Sequence, residues 1–289
     1  MTQSSNLITL NTLLNSFRNL TATEAAPMTA TLEVTTLTAL AKRTDVAQKI
    51  EARTNELRQL SDAANRRALL RVIAEISDTP YPDASEPDLN FLRGTLNTLC
   101  DTFDIKTKGI PEDQALRYLT DAVLQDLLSR LSESMNRSTT QQQEQVISNI
   151  LDWYNNAETP EAHRVAFVEA TQMSSVTRDA LRAQLPHLAG VLGTYAVVTA
   201  SGFGPYIAIT VLTHAMMTSI LGVTVPFAVY TTLTSLTAAV FNPLSLLVVG
   251  AVVLSSGLGK SSKELRRKCC AFVLAQIAFL PNDDHQDSA

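Results

Sequence analysis

The chain has 289 residues, with 23 Lys or Arg, 28 Asp or Glu and three cysteines. Residues 1–182 carry 18 basic and 24 acidic side chains, so they lack the clustered basic face of a nucleic-acid-binding protein, and we expect no nucleic-acid partner. The odd cysteine count and the adjacent pair Cys269-Cys270 fit synthesis in a reducing cytoplasm. We expect no signal peptide, because the first residues lack a basic stretch followed by an apolar one.

Residues 1–182 are predicted to form a soluble region of amphipathic helices. Apolar residues recur at helical spacing over 7–17, and a second helix, richer in threonine, is predicted near 30–42. A long helix is predicted over 44–77. Ser61-Asp62 favours an interruption of this helix, because both residue types are typical of caps and turns.

Three prolines predict a loop and a break of this region at 78–88. After it, Asp88 is a predicted helix cap, and Pro111 begins the clearest amphipathic run. Further helices are predicted to begin near residues 138, 159 and 174. No long segment alternates with the period of a strand, so the sequence predicts an all-α fold: an amphipathic helical N-terminal domain plus a hydrophobic C-terminal helical hairpin domain.

Residues 183–259, here called the charge-free segment, contain no Asp, Glu, Lys or Arg over 77 residues. At the chain's average density such a length would hold about 14 charged residues. Glycine and proline divide it into apolar pieces of 13 to 16 residues, roughly 20–24 Å as helix, and a bilayer core of about 30 Å is better crossed twice than four times. The breaks predicted to shape the inserting hairpin are Gly202, Gly204, Pro205, Gly222, Pro226 and Pro243.

Basic residues flank the charge-free segment on both sides. Arg178 and Arg182 precede it, so the positive-inside rule places both ends on the cytoplasmic side of a membrane, with the hairpin tip near 222–226. The basic residues after the segment are predicted to contact lipid headgroups, or alternatively to form the solvated first turns of a last helix. They are Lys260, Lys263, Arg266, Arg267 and Lys268.

His214 lies in the middle of the charge-free segment. Because histidine changes charge near neutral pH, His214 is a candidate pH switch for insertion. The alternative is a neutral, hydrogen-bonded histidine at a helix interface.

The ordered breaks carry a resemblance to a known family. Gly202-Phe203-Gly204, Leu221-Gly222, Pro226-Phe227, Pro243 and the final helix over 271–278 resemble the YaaW-like family of uncharacterised bacterial proteins, over about residues 110–280. The resemblance implies a helical protein with a hydrophobic C-terminal domain, and it supplies no activity.

Catalytic chemistry is not indicated. Gly259-Lys260-Ser261 lacks the first glycine of a phosphate-binding loop, since Leu254 stands at that position. The four histidines show no ligand spacing with Cys, Asp or Glu, so we expect no metal site, no cofactor and no enzyme activity.

The sequence therefore predicts three regions: a soluble helical region over 1–182, a hydrophobic helical domain over 183–280, and a disordered tail over 281–289. A chain ending at Arg182 is expected to be soluble. The leading hypothesis is a protein made in the cytoplasm that associates with a membrane or inserts into it conditionally, as a pore-forming toxin or effector does. Expected partners are the lipid bilayer, a second copy, or a protein that masks the hairpin. The alternative is a soluble all-α interaction or regulatory protein with an unusually apolar core.

Overall fold

The structure, a computed structural model, describes residues 8–34, 46–82, 86–157, 159–185 and 262–279, together with residues 187, 208, 211, 212, 215, 216 and 219. Within these residues all regular structure is helical and no strand occurs, which confirms the predicted all-α fold. Residues 178–185 are helical. The other helices are α1 (Leu10–Asn19), α2 (Ala22–Val34), α3 (Val46–Leu57), α4 (Asp62–Ser77), α5 (Leu89–Thr102), α6 (Glu112–Asn136), α7 (Thr140–Asn155), α8 (Glu161–Thr171) and α9 (Ser262–Phe279).

Contacts along the chain define two compact units. Unit 1 combines residues 1–123 with residues 250–289, and unit 2 comprises residues 124–249. The last helix, α9, therefore belongs to the same unit as α1 to α5. The predicted division after residue 182 into a soluble region and a hydrophobic hairpin domain is not confirmed.

Side-chain caps fix several helix ends as the sequence predicts. The Ser61 hydroxyl accepts a hydrogen bond from the Ala64 amide at the start of α4, which confirms the predicted interruption of the long helix. Asp88 caps α5 by accepting from the Phe91 amide at 2.7 Å, as predicted. These caps are local signals, because each needs only a short polar side chain beside the first turn of its helix.

α2 differs from the helix predicted near residues 30–42. It begins earlier, at Ala22, and continues through Pro27. Residues 25–32 are all buried, because α2 packs against both α3 and α4. The buried hydroxyls of Thr29 and Thr31 donate back to backbone carbonyls within the helix, at 2.9 and 2.8 Å. The helix therefore buries polar side chains without leaving their donors unpaired.

α9 is the second helix of unit 1 that is buried on all sides. Residues 268–278 are all buried, and the helix packs against α1, α2, α4 and α5. A helix that is apolar around its whole circumference suits a central position of this kind. The core of unit 1 is thus completed by a helix that follows the charge-free segment in the sequence.

The core of unit 1 can be tested with two leucines. Leu70 on α4 is fully buried, whereas Leu60, between α3 and α4, is 46% exposed. We expect Leu70→Ala to lower the free energy of unfolding by about 2–5 kcal/mol, because it leaves a cavity, and Leu60→Ala to change it by less than about 0.5 kcal/mol. Urea unfolding followed by circular dichroism measures both. Equal losses in the two variants would contradict the described packing.

The position of α9 also changes the expectation for a chain that ends at Arg182. Such a chain lacks α9, so the apolar surfaces of α1, α2, α4 and α5 that face it are uncovered. We expect fragment 1–182 to unfold with a shallow transition, and an added peptide of residues 262–279 to raise its urea midpoint in proportion to peptide concentration. A sharp transition that the peptide leaves unchanged would show that residues 1–182 need no α9.

Candidate functional site

Six described residues of the charge-free segment form one helical face in unit 2. They are spaced by three or four residues and all are helical. Five of them are buried and the last, Ser219, is half-buried. Side chains at this spacing lie on one side of a helix. We call this surface the 208–219 face. It consists of Ala208, Val211, Leu212, Ala215, Met216 and Ser219.

A polar contact joins this face to α7. The Asn149 side-chain amide donates to the Ser219 hydroxyl at 3.0 Å, and the Ser219 hydroxyl donates to the Ala215 carbonyl at 2.7 Å. The hydroxyl hydrogen is thus satisfied inside the helix itself. Serine that bonds back along its own helix can leave a polar neighbour without exposing an unpaired donor.

The N-terminal flank of the charge-free segment is paired within unit 2. Arg182 and Arg178, in the helical residues 178–185, contact the two carboxylate oxygens of Glu144 on α7 at 2.7 and 3.1 Å. The hydrogen bond from Arg182, and next that from Arg178, lowers the pKa of Glu144. These side chains are largely exposed, so the pairs orient the helix more than they stabilise it.

The C-terminal flank is paired within unit 1. Lys263 and Arg267 on α9 contact one oxygen of Asp78 at 2.8 and 2.7 Å, and Arg266 contacts Glu75 at 2.9 Å. Asp78 ends α4 in the left-handed conformation, with φ of 53°. The hydrogen bond from Lys263, followed by that from Arg267, lowers the pKa of this carboxyl group. The start of α9 is therefore neutralised by the end of α4.

Lys268 lies deeper than the other basic residues of α9. Its side chain is buried, and its ammonium nitrogen is 5.1 Å from the ring centroid of Phe103. A cation over an aromatic face is stabilised by the electrons of the ring. Four of the five basic residues predicted to contact headgroups thus have protein contacts in unit 1, and Lys260 lies outside the described residues. Their headgroup contact stays a prediction.

The remaining sequence-predicted site residues are outside the described part of the chain. They are the candidate pH switch His214 and the six breaks Gly202, Gly204, Pro205, Gly222, Pro226 and Pro243. Their roles stay predictions.

His163, on α8 of unit 2, is a titratable residue that the sequence reasoning missed. It is 6% exposed, and burial lowers the pKa of its imidazole. The signal is present in the sequence, because His163 shares a helical face with the buried residues Ala166, Phe167 and Ala170. Phe167 in turn packs on Trp153 of α7, with ring centroids 5.3 Å apart.

Two further searches cover the described residues only. They contain no group of three His, Cys, Asp or Glu side chains placed to hold a metal ion. In that same part of the chain, no helix combines the length and the apolar character needed to cross a membrane.

Comparison with family models, with curated proteins and with solved structures finds no match to this chain. The resemblance to the YaaW-like family stays a prediction.

His163 predicts a dependence of stability on pH. Its pKa is lowered in the folded protein, so the unfolded chain binds more protons, and stability falls as the pH drops below about 6.5. We expect the His163→Gln variant to lose this component, with a pH slope of unfolding free energy between pH 7.5 and 5.5 that is smaller by up to about 1.4 kcal/mol per pH unit. Urea titrations at the two pH values measure it. The matched control is His187→Gln at an exposed histidine, and an equal change in both variants would contradict the assignment.

Proposed function

We propose that this chain is a helical protein that inserts its charge-free segment into a lipid bilayer conditionally, from a closed form in which the protein covers part of that segment. The observation that carries the proposal is the 208–219 face: it lies buried in unit 2, within 77 residues that contain no charged side chain. A segment with this composition is suited to two environments, a protein interior and a bilayer. The proposal assigns one to each state of the protein.

The composition of the segment lowers the cost of transfer into lipid. Each Asp, Lys or Arg at the middle of a bilayer adds about 2.5–3.5 kcal/mol on insertion scales, and the segment has none. Its hydroxyl groups are less costly where they bond to their own helix, as Ser219 does with Ala215.

The closed form has a defined polar contact to break. Moving the 208–219 face out of unit 2 separates Ser219 from Asn149, and a neutral hydrogen bond of this kind contributes about 0.5–1.5 kcal/mol. The buried apolar side chains of the face lose protein neighbours, which lipid tails replace at little cost because both surroundings are apolar. Release of this face is therefore a conformational step that a trigger controls.

The second candidate is a soluble all-α interaction protein. Burial of Ala208, Val211, Leu212, Ala215 and Met216 favours it directly, because the same face then serves as permanent core. The two functions differ in one respect: the membrane protein needs the face to leave α7, and the soluble protein needs it to stay.

A reversible cross-link tests this difference. We expect the double variant Asn149→Cys, Ser219→Cys to form a disulfide on oxidation, since a direct side-chain hydrogen bond joins the two positions. Oxidised protein is expected to lose flotation with vesicles of phosphatidylcholine and phosphatidylglycerol, and to lose dye release, by about tenfold or more. Reduction with dithiothreitol restores both.

The single variants Asn149→Cys and Ser219→Cys are the matched controls, because they carry the same substitutions and cannot close the cross-link. The parent's own cysteines are buried and do not compete. Flotation of the locked protein at the parent level would show that insertion does not require this face to move. Absence of vesicle binding by the parent across pH 5–8 would reject the membrane function in favour of the soluble interaction protein.

A further inference from the structure

Gln276 on α9 is a buried polar residue without a described partner. Its side chain is 4% exposed, and neither its amide nitrogen nor its amide oxygen has a hydrogen-bond partner among the residues that the structure describes. The Nε atom of Arg266, on the same helix, is also buried and unpartnered within the described residues. Buried amides are normally satisfied, and an unsatisfied one destabilises the state that buries it.

Other buried polar side chains of unit 1 differ from Gln276. The hydroxyls of Thr29, Thr31 and Ser77 each donate to a backbone carbonyl within their own helix, at 2.8 to 2.9 Å. The amide of Gln276 is too distant along its side chain to be satisfied in this way as readily. The destabilising group is thus located on α9, and α9 is the helix of unit 1 that immediately follows the charge-free segment.

The other contacts of α9 with charged groups are at its exposed beginning. Lys263 and Arg267 pair with Asp78, whose side chain is 55% exposed, and exposed ion pairs contribute little to stability. α9 therefore depends on its apolar contacts for docking, and those contacts include an unpaired amide. Elements of low local stability are the ones that open while the rest of a domain stays folded.

We propose that α9 opens from unit 1 as a unit while the rest of unit 1 stays folded, and that the unpaired Gln276 amide sets how readily it opens. Opening frees the C-terminal end of the charge-free segment. That consequence rests on the proposed membrane function, whereas the opening itself does not.

Three free cysteines report the opening. Cys269 and Cys270 are buried on α9, and Cys100 is buried on α5, where its thiol faces the Ala115 carbonyl of α6 at 3.8 Å. Burial raises the pKa of Cys100 to about 11 and that of Cys269 to about 12, and it raises the pKa of Cys270 as well. Because the buried thiols carry so little thiolate, maleimide labelling in native buffer measures open states.

In the parent chain, we expect Cys269 and Cys270 to be labelled at least about tenfold faster than Cys100, with each site followed by peptide mass spectrometry. Equal rates at the three thiols would mean that α9 opens only with the whole unit, which overturns the proposal.

Gln276→Met replaces the amide with an apolar group of similar shape. We expect it to slow labelling of Cys269 and Cys270 by about fivefold or more, and to leave Cys100 close to its parent rate. Gln276→Leu is a second variant with the same expectation. Unchanged or faster labelling at the α9 thiols in both folded variants would show that the amide does not weaken docking, which overturns its assigned role.

Asp78→Asn shifts the same opening in the other direction. It removes the ion pairs with Lys263 and Arg267, so we expect labelling of Cys269 and Cys270 to accelerate by up to about fivefold. Slower labelling of the α9 thiols in this variant would contradict the proposed docking.

Vesicle flotation of the same full-length variants separates the two proposals. Weaker binding by Gln276→Met and stronger binding by Asp78→Asn would connect α9 opening to insertion. A parent that labels as expected and binds no vesicles would reject the membrane function and leave the opening of α9 established. A parent that binds vesicles equally well in every variant would keep the membrane function and overturn the role of α9 in it.

Discussion

Burial of α9 on all sides is the constraint on which the rest of unit 1 depends. Each fully buried Leu, Ile, Val or Phe side chain contributes about 1.5–3 kcal/mol, and residues 268–278 are all buried. The exposed ion pairs at the start of the helix contribute about 0–1 kcal/mol each. Apolar contact therefore holds α9 in place, and its basic residues determine where the helix begins relative to α4. Because α9 follows the charge-free segment, that segment is bounded by folded elements at both ends.

The charges that flank the segment have partners inside the protein. Arg178 and Arg182 contact Glu144, and the basic residues of α9 contact Glu75 and Asp78. Membrane topology rules treat such residues as solvated cations that remain on the cytoplasmic side. Here each flank is neutralised within its own unit, so anionic lipid has to compete with carboxylates that are already in contact. An electrostatic preference of the closed form follows from this pairing.

Local features of the fold were predictable from the sequence, and long-range ones were not. Caps such as Ser61 and Asp88, and the helical periodicity of residues 7–17, depend on neighbours within a few positions. The extent of α2 was missed, because Pro27 indicates a break that packing between α3 and α4 overrides. The membership of α9 in unit 1 leaves no pattern in composition, since it depends on contacts with helices far away in the sequence. His163 was accessible to pattern reasoning, through its place on an apolar face.

The distance along the chain between α9 and its neighbours has a consequence for synthesis. α5 ends at Thr102 and α9 ends at Phe279, so the ribosome adds 177 residues between completion of the two helices. At about 5–20 residues per second, this interval is roughly 9–35 s. Throughout it, the helices that receive α9 and the emerging charge-free segment coexist on one nascent chain without the helix that completes the core. Chaperones and membranes thus meet the segment before unit 1 is able to close.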